Sequence, residues 1–161
     1  MTNYTIQQLD LTDKFAELNL QPPFGLTFIP ENFQDSNQIS DFIFSEPITQ
    51  INKIFKLNQV PVDILGGNLK YLKSRKNADI FLPAIYIGAS LLSENSTVIS
   101  IAFNVLSNYI TDYLKGSFGQ SKVAFEIYTE TRGTKKIQKI TYKGDAEGIK
   151  GLSDVIKQVN K

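Results

Sequence analysis

The side chains that could do chemistry in this chain are carboxylates, lysines, tyrosines and hydroxyls, because the sequence contains neither histidine nor cysteine. Histidine most often exchanges protons near neutral pH and binds metals, and cysteine supplies thiolates and disulfides. A serine triad needs histidine as its base and is therefore excluded. No glycine pattern matches a phosphate-binding loop or a dinucleotide fingerprint. The sequence thus predicts no catalytic residue, no metal ligand and no cofactor.

Carboxylates leave one route to catalysis open. Glu126 and Glu130 share one face of a predicted strand, but strand geometry separates their α-carbons by about 13 Å, more than paired-carboxylate glycosidases use. Asp63, Asp79 and Asp112 are scattered in the sequence, so they would form a Mg²⁺ site only if the fold brought them together. A carboxylate- and Mg²⁺-dependent hydrolase or transferase is therefore one alternative function.

A basic hairpin offers a second alternative, the binding of nucleic acid. Lysine and arginine cluster around a predicted turn at residues 132–134, and the candidate anion contacts are Arg132, Lys135, Lys136 and Lys139. Tyr128 lies nearby and could stack on a base. The net charge of the chain is only +1, however, and lysines on edge strands commonly prevent aggregation. These observations argue against a nucleic-acid partner.

The most unusual feature is a long predicted helix over residues 96–115. No charged residue occurs between residues 95 and 111. An exposed helix normally carries lysine and glutamate on its polar side, whereas hydroxyls and amides lose their water at lower cost when a partner arrives. We therefore predict an interface formed by the small polar residues of this helix, which are Ser100, Asn104, Ser107, Asn108 and Thr111. The alternatives are a helix at the centre of its own monomer and the wall of a ligand cleft.

The elements around this helix follow from periodicity. Residues 79–92 predict a central strand that Pro83 disturbs, and residues 122–131 and 137–143 predict a hairpin. In the first hairpin strand Val123, Phe125 and Ile127 face inward, and the outward residues are Ala124, Glu126, Tyr128 and Glu130. Asp145 caps a final helix. The order β-α-β-β-α predicts an α+β fold with a mixed sheet, parallel across the helix and antiparallel across the hairpin.

Residues 1–76 predict an N-terminal α/β elaboration of that unit. A short helix with its start near Asp10 or Thr12 is indicated by the spacing of Leu9, Leu11, Phe15 and Leu18. A second helix is predicted from Glu46 to about Leu57, with Ser45 as its cap. A basic stretch at residues 68–76 is the expected boundary. We therefore predict an N-terminal region, 1–76, that packs on a compact unit, 77–161, within one structural domain overall.

The cellular setting follows from composition. Hydrophobic residues make up 42% and charged residues 20% of the 161 residues, which is typical of a globular chain. The first residues lack a signal-peptide pattern, and no apolar run is long enough to cross a bilayer, so we expect a cytoplasmic protein without a membrane partner. Abundant lysine and asparagine indicate an AT-rich bacterial genome. We expect a non-enzymatic protein that binds another protein or itself as a homo-oligomer, such as an accessory subunit in phage defence or a toxin–immunity pair.

Overall fold

A computed structural model describes residues 4–67, 69–74, 79–115, 122–130 and 136–159. The strands are β1 (Tyr4–Leu9), β2 (Leu26–Ile29), β3 (Ile43–Ser45), β4 (Asp63–Ile64), β5 (Tyr71–Lys73), β6 (Ile80–Phe81), β7 (Ala84–Ile87), β8 (Val123–Glu130) and β9 (Ile137–Gly144). The helices are α1 (Thr12–Glu17), α2 (Ile48–Leu57), α3 (Ala89–Glu94), α4 (Ser96–Tyr113) and α5 (Glu147–Val159). Short 3-10 turns occur at Phe33–Asp35, Ile39–Asp41 and Leu65–Gly67.

The larger sheet is mixed, which confirms the predicted α+β class. Its strand order is β1-β9-β8-β7-β2-β4, and β6 also pairs with β8. β7 and β8 are parallel across α3 and α4, and β8 and β9 form the antiparallel hairpin that the sequence predicts. β1 adds to β9 at one edge, while β2 and β4 extend the sheet beyond β7. Strands from residues 1–76 therefore form both edges of the sheet.

Helices cover both faces of this sheet. On one face Phe103 of α4 packs on Phe125 of β8, with ring centroids 5.9 Å apart. On the same face Phe55 of α2 stacks on Phe28 of β2. On the other face Phe15 of α1 contacts Tyr86 edge to face.

This second layer corrects the expectation that the outward residues of β8 face solvent. Tyr128 is only 4% exposed, and Glu126 and Glu130 are half-buried.

Two local predictions also need correction. The stretch 79–92 forms two short strands, β6 and β7, followed by the start of α3. Pro83 separates the two strands, and both pair with β8. Ser45 lies in β3 rather than capping α2, whose N-terminal flanking residue is Pro47. The basic stretch contains β5, which pairs in parallel with β3 in a small second sheet. Pairing partners distant in sequence, rather than local composition, determine these features.

Candidate functional site

The long helix predicted over residues 96–115 is α4, and it lies between α2 and α5 on one face of the sheet. Its apolar residues recur at helical spacing, so they fall on one side of the helix, and this side faces the sheet. The fully buried side chains on this inner face are Ile99, Ala102, Phe103, Leu106 and Ile110. The polar residues predicted as an interface are divided between the flank of α4 that packs on α5 and the side that faces solvent.

Ser100 and Ser107 lie on the flank that faces α5. The Ser107 hydroxyl donates to the carbonyl oxygen of Ala146 at 2.9 Å, and Ser107 is 1% exposed. Ser100 is half-buried, and its hydroxyl oxygen accepts a hydrogen bond from the ammonium of Lys157 at 3.0 Å. These contacts lie within one chain, so packing of α5 accounts for the small polar side chain at Ser107.

The exposed side of α4 retains the other three predicted residues. Asn104, Asn108 and Thr111 are exposed, and the Thr111 hydroxyl donates back to the carbonyl oxygen of Ser107. Two further exposed residues continue the same row towards the start of the helix. We call this surface the α4 stripe, and its residues are Thr97, Ile101, Asn104, Asn108 and Thr111. The stripe carries no charge, and it includes an isoleucine that is 43% exposed.

A groove runs beside the α4 stripe towards α2. It has a volume of about 400 Å³ and is lined by Ile54, Asn58, Val105, Asn108, Tyr109, Asp112 and Tyr113. The Tyr109 hydroxyl donates to Oε1 of Gln50 at 3.1 Å, which ties α4 to α2. Burial, reinforced by Tyr113, raises the pKa of the Tyr109 phenol, so this hydroxyl stays a donor at neutral pH. We call this feature the α2–α4 groove.

The two helices that form the α2–α4 groove each end in a large exposed apolar side chain. Leu57, the last residue of α2, is 83% exposed, and Tyr113, the last residue of α4, is 65% exposed. The rings of Tyr109 and Tyr113 lie 6.1 Å apart. Single exposed hydrophobic residues are common on protein surfaces, but apolar side chains grouped around a groove are typical of binding sites. Sequence reasoning missed this groove because it depends on how α2 lies against α4.

The basic hairpin does not form a simple cationic surface in the described residues. Arg132 and Lys135 lie outside them, and Lys136 is exposed. The ammonium of Lys139 lies 3.0 Å from a carboxylate oxygen of Glu126 and 5.6 Å from the ring centroid of Tyr128. Burial opposes the charge on Lys139, but Tyr128 and Glu126 outweigh it and raise the pKa of this lysine. Lys139 is therefore held against its own sheet.

The carboxylates singled out in the sequence are spread over the fold. Asp63 is exposed in β4, Asp79 pairs with Lys143 at 3.7 Å, and Asp112 lines the α2–α4 groove. Across the part of the chain that the structure describes, no three acidic side chains are grouped to hold a metal ion. The arrangement of these residues therefore gives the hydrolase alternative no support.

A buried tyrosine–glutamate contact was not anticipated from the sequence. The Tyr86 hydroxyl donates to a carboxylate oxygen of Glu130 at 3.4 Å, and both residues line a cavity of about 410 Å³ together with Phe15 and Ile137. Burial raises the pKa of the Tyr86 phenol well above its usual value, and Glu130 raises it further. Tyr86 lies in a continuous apolar run, so only the register of β7 on β8 reveals its partner.

Comparison with known proteins assigns no family. No family model matches the chain, and no curated protein or solved structure matches it significantly. Within the ranges that the structure describes, no helix is long and apolar enough to cross a membrane. The surface chemistry of α4 and its neighbours is therefore the basis on which we infer a function.

Proposed function

We propose that this protein is a non-enzymatic association module that binds another protein chain through the α4 stripe. The observation that carries the proposal is the exposed side of α4 from Thr97 to Thr111, on which asparagine, threonine and isoleucine stand where charged residues are usual. Interface centres are depleted in charged residues, because removing a charge from water costs far more than removing an amide or a hydroxyl. The α4 stripe has this composition.

The surroundings of the α4 stripe support the same function. Tyr113 exposes apolar surface in the α2–α4 groove, Leu57 does so at the end of α2, and Ile101 does so within the stripe. Tyrosine is enriched in interfaces because its ring provides apolar contact and its hydroxyl keeps a hydrogen-bonding group. A partner that covered the stripe and the groove would bury these apolar groups together with uncharged polar groups.

The biological setting that we propose is the bacterial cytoplasm. There the chain would serve as an accessory subunit of a multi-component system, such as phage defence or a toxin–immunity pair. Abundant lysine and asparagine are typical of an AT-rich bacterial genome. The absence of histidine and cysteine supports an accessory role, because such a subunit needs a binding surface rather than catalytic groups.

The experiment that tests the proposal compares Asn104→Lys with the matched control Asn37→Lys. Both substitutions replace an exposed asparagine by a charged residue, and Asn37 lies in the polar loop on the opposite side of the sheet. A tagged chain is purified together with the proteins that bind it, and light scattering gives the mass of the assembly. We expect the wild type and Asn37→Lys to exceed the 18.1 kDa of one chain, and Asn104→Lys to return to that mass. Equal masses and equal bound proteins for all three chains would contradict the proposal.

A further inference from the structure

We propose that the partner of the α4 stripe is a second copy of this chain, with the two α4 helices packed antiparallel about a two-fold axis near the level of Leu106. This inference rests on the proposed function and specifies the partner. Closed two-fold dimers are the commonest form of self-association, and they require a surface that is complementary to itself. The α4 stripe meets that requirement in charge, in hydrogen bonding and in shape.

Charge and hydrogen bonding favour a copy of the same surface. A charged stripe would face its own charges across a two-fold axis, but the residues of the α4 stripe are uncharged, so pairing brings no like charges together within it. Asn104 and Asn108 each carry an amide that both donates and accepts hydrogen bonds. Two amides that face each other can therefore satisfy one another without a third group.

The two asparagines can pair with each other in the antiparallel arrangement. Asn104 and Asn108 lie two residues before and two residues after Leu106. In an antiparallel pair centred on that level, Asn104 of one copy lies opposite Asn108 of the other, and the symmetry repeats the contact. The offset between Asn104 of one copy and Asn104 of the other is then about 6 Å along the helix, from the rise of 1.5 Å per residue.

The shape of the surface agrees with the same centre. Ile101 lies one turn before Val105, a groove residue, on the same side of α4. Ile101 is five residues before Leu106, so it lies opposite the level of Thr111 in the other copy. That level falls within the span of α4, from Val105 to Tyr113, that lines the groove. The two-fold axis lies in the plane of contact between the two copies and is perpendicular to α4. It therefore leaves the α2 helices of both copies on the same side of the α4 pair. Each exposed Ile101 therefore meets the α2–α4 groove of the other copy.

The absence of cysteine in the sequence makes disulfide cross-linking a direct test of this register. The chain is prepared as two single variants, Asn104→Cys and Asn108→Cys, which are oxidised separately and as an equal mixture. A disulfide needs α-carbons within about 7 Å, and facing positions satisfy this limit whereas positions offset by a full turn do not. We expect the mixture to form a covalent species of twice 18.1 kDa and each variant alone to remain mostly unlinked. Asn37→Cys mixed with Asn108→Cys is the control and should remain unlinked.

Each other outcome overturns the inference. Efficient cross-linking of Asn104→Cys with itself, without linkage to Asn108→Cys, would indicate parallel helices. A wild-type mass of 18.1 kDa at high concentration, without cross-linking, would overturn self-pairing. In that case the purification described above separates the two proposals. A different bound chain that Asn104→Lys releases would leave the proposed function standing, whereas no bound chain at all would overturn both.

Discussion

The hydroxyl of Ser107 donates a 2.9 Å hydrogen bond to the carbonyl oxygen of Ala146, and this contact joins the second half of α4 to the start of α5. The sequence groups Ser107 with Asn104 and Asn108, because all three lie on the polar side of one helix. The structure separates them, since α5 covers Ser107 and leaves both asparagines exposed. An uncharged polar residue on a helix can therefore indicate packing within one chain as well as contact between chains.

Replacing Ser107 by alanine should lower the free energy of unfolding by about 1 kcal/mol. The half-buried carbonyl of Ala146 would lose the hydroxyl donor and keep only its 3.2 Å bond from the backbone N–H of Ile149. The control is Asn104→Ala on the exposed side of the same helix, which should change stability by less than about 0.5 kcal/mol. Urea denaturation followed by circular dichroism gives both values. Equal losses for the two variants would show that the hydrogen bond contributes nothing. Ser107→Lys would bury a charge, so that variant cannot probe an interface.

The C-terminal half of the fold could be predicted because its signals are local. Asp145 illustrates this, since a carboxylate before an amphipathic run predicts a helix N-terminus, and its oxygen accepts from the backbone N–H of Gly148 at 2.9 Å. β1 could not be predicted, because most of its residues are exposed and its position depends on pairing Tyr4 with Tyr142. Alternation in β8 likewise indicates one buried face, and only α1 and its neighbours reveal that the second face is covered.

The candidate site was predictable to a similar extent. The charge-free run of α4 is visible in the sequence, and Asn104 and Asn108, which it predicts as interface residues, are exposed in this chain. The α2–α4 groove is not visible, since α2 and α4 are far apart in the chain. The surroundings of the hairpin lysines are equally invisible in the sequence. The number of basic residues near residue 135 suggests a cationic surface, whereas the charge of Lys139 is neutralised by Glu126 across the β8–β9 pair.

Two glycines one turn apart in α5 should respond in opposite directions to alanine. A Cβ on Gly148 would collide with the hydroxyl of Tyr142, which is buried and fixed by a 2.6 Å hydrogen bond to the carbonyl of Asp145. Gly148→Ala should therefore cost about 1–3 kcal/mol. A Cβ on Gly151 meets nothing within 4 Å, so Gly151→Ala should stabilise the helix by about 0.5–1 kcal/mol. Thermal denaturation of both variants tests the prediction, and a stabilised Gly148→Ala would contradict it.

Tyr86 should make stability fall at alkaline pH. Its pKa in the folded state is raised by burial and by Glu130, whereas in the unfolded chain it is near 10.0. Below that value both states keep the proton and the stability is fully present. Above it the unfolded state ionises first, so the free energy of unfolding falls by up to about 1.4 kcal/mol per pH unit.

Tyr86→Phe should therefore flatten the alkaline decline while it keeps the contact with Phe15. Urea denaturation at a series of pH values from neutral to strongly alkaline gives the slope for each chain. The control is Tyr113→Phe, which removes a hydroxyl from an exposed ring at the end of α4. Identical slopes for wild type and Tyr86→Phe above pH 10 would show that this phenol does not govern the decline.

Ile101→Ala should weaken self-association without weakening the fold. The side chain is 43% exposed in the single chain, so its removal leaves no large cavity in the core. In the proposed dimer it fills the α2–α4 groove of the other copy, and the loss of such an anchor typically costs more than 1 kcal/mol. Because the two-fold axis repeats the contact, the total loss is about 2 kcal/mol or more, and we expect the dissociation constant to rise about thirtyfold or more. Thr97→Ala, on the same stripe but away from the groove, should change it by less than about threefold. Sedimentation equilibrium over a dilution series measures both constants, and equal values for the two variants would mean that Ile101 does not occupy the groove.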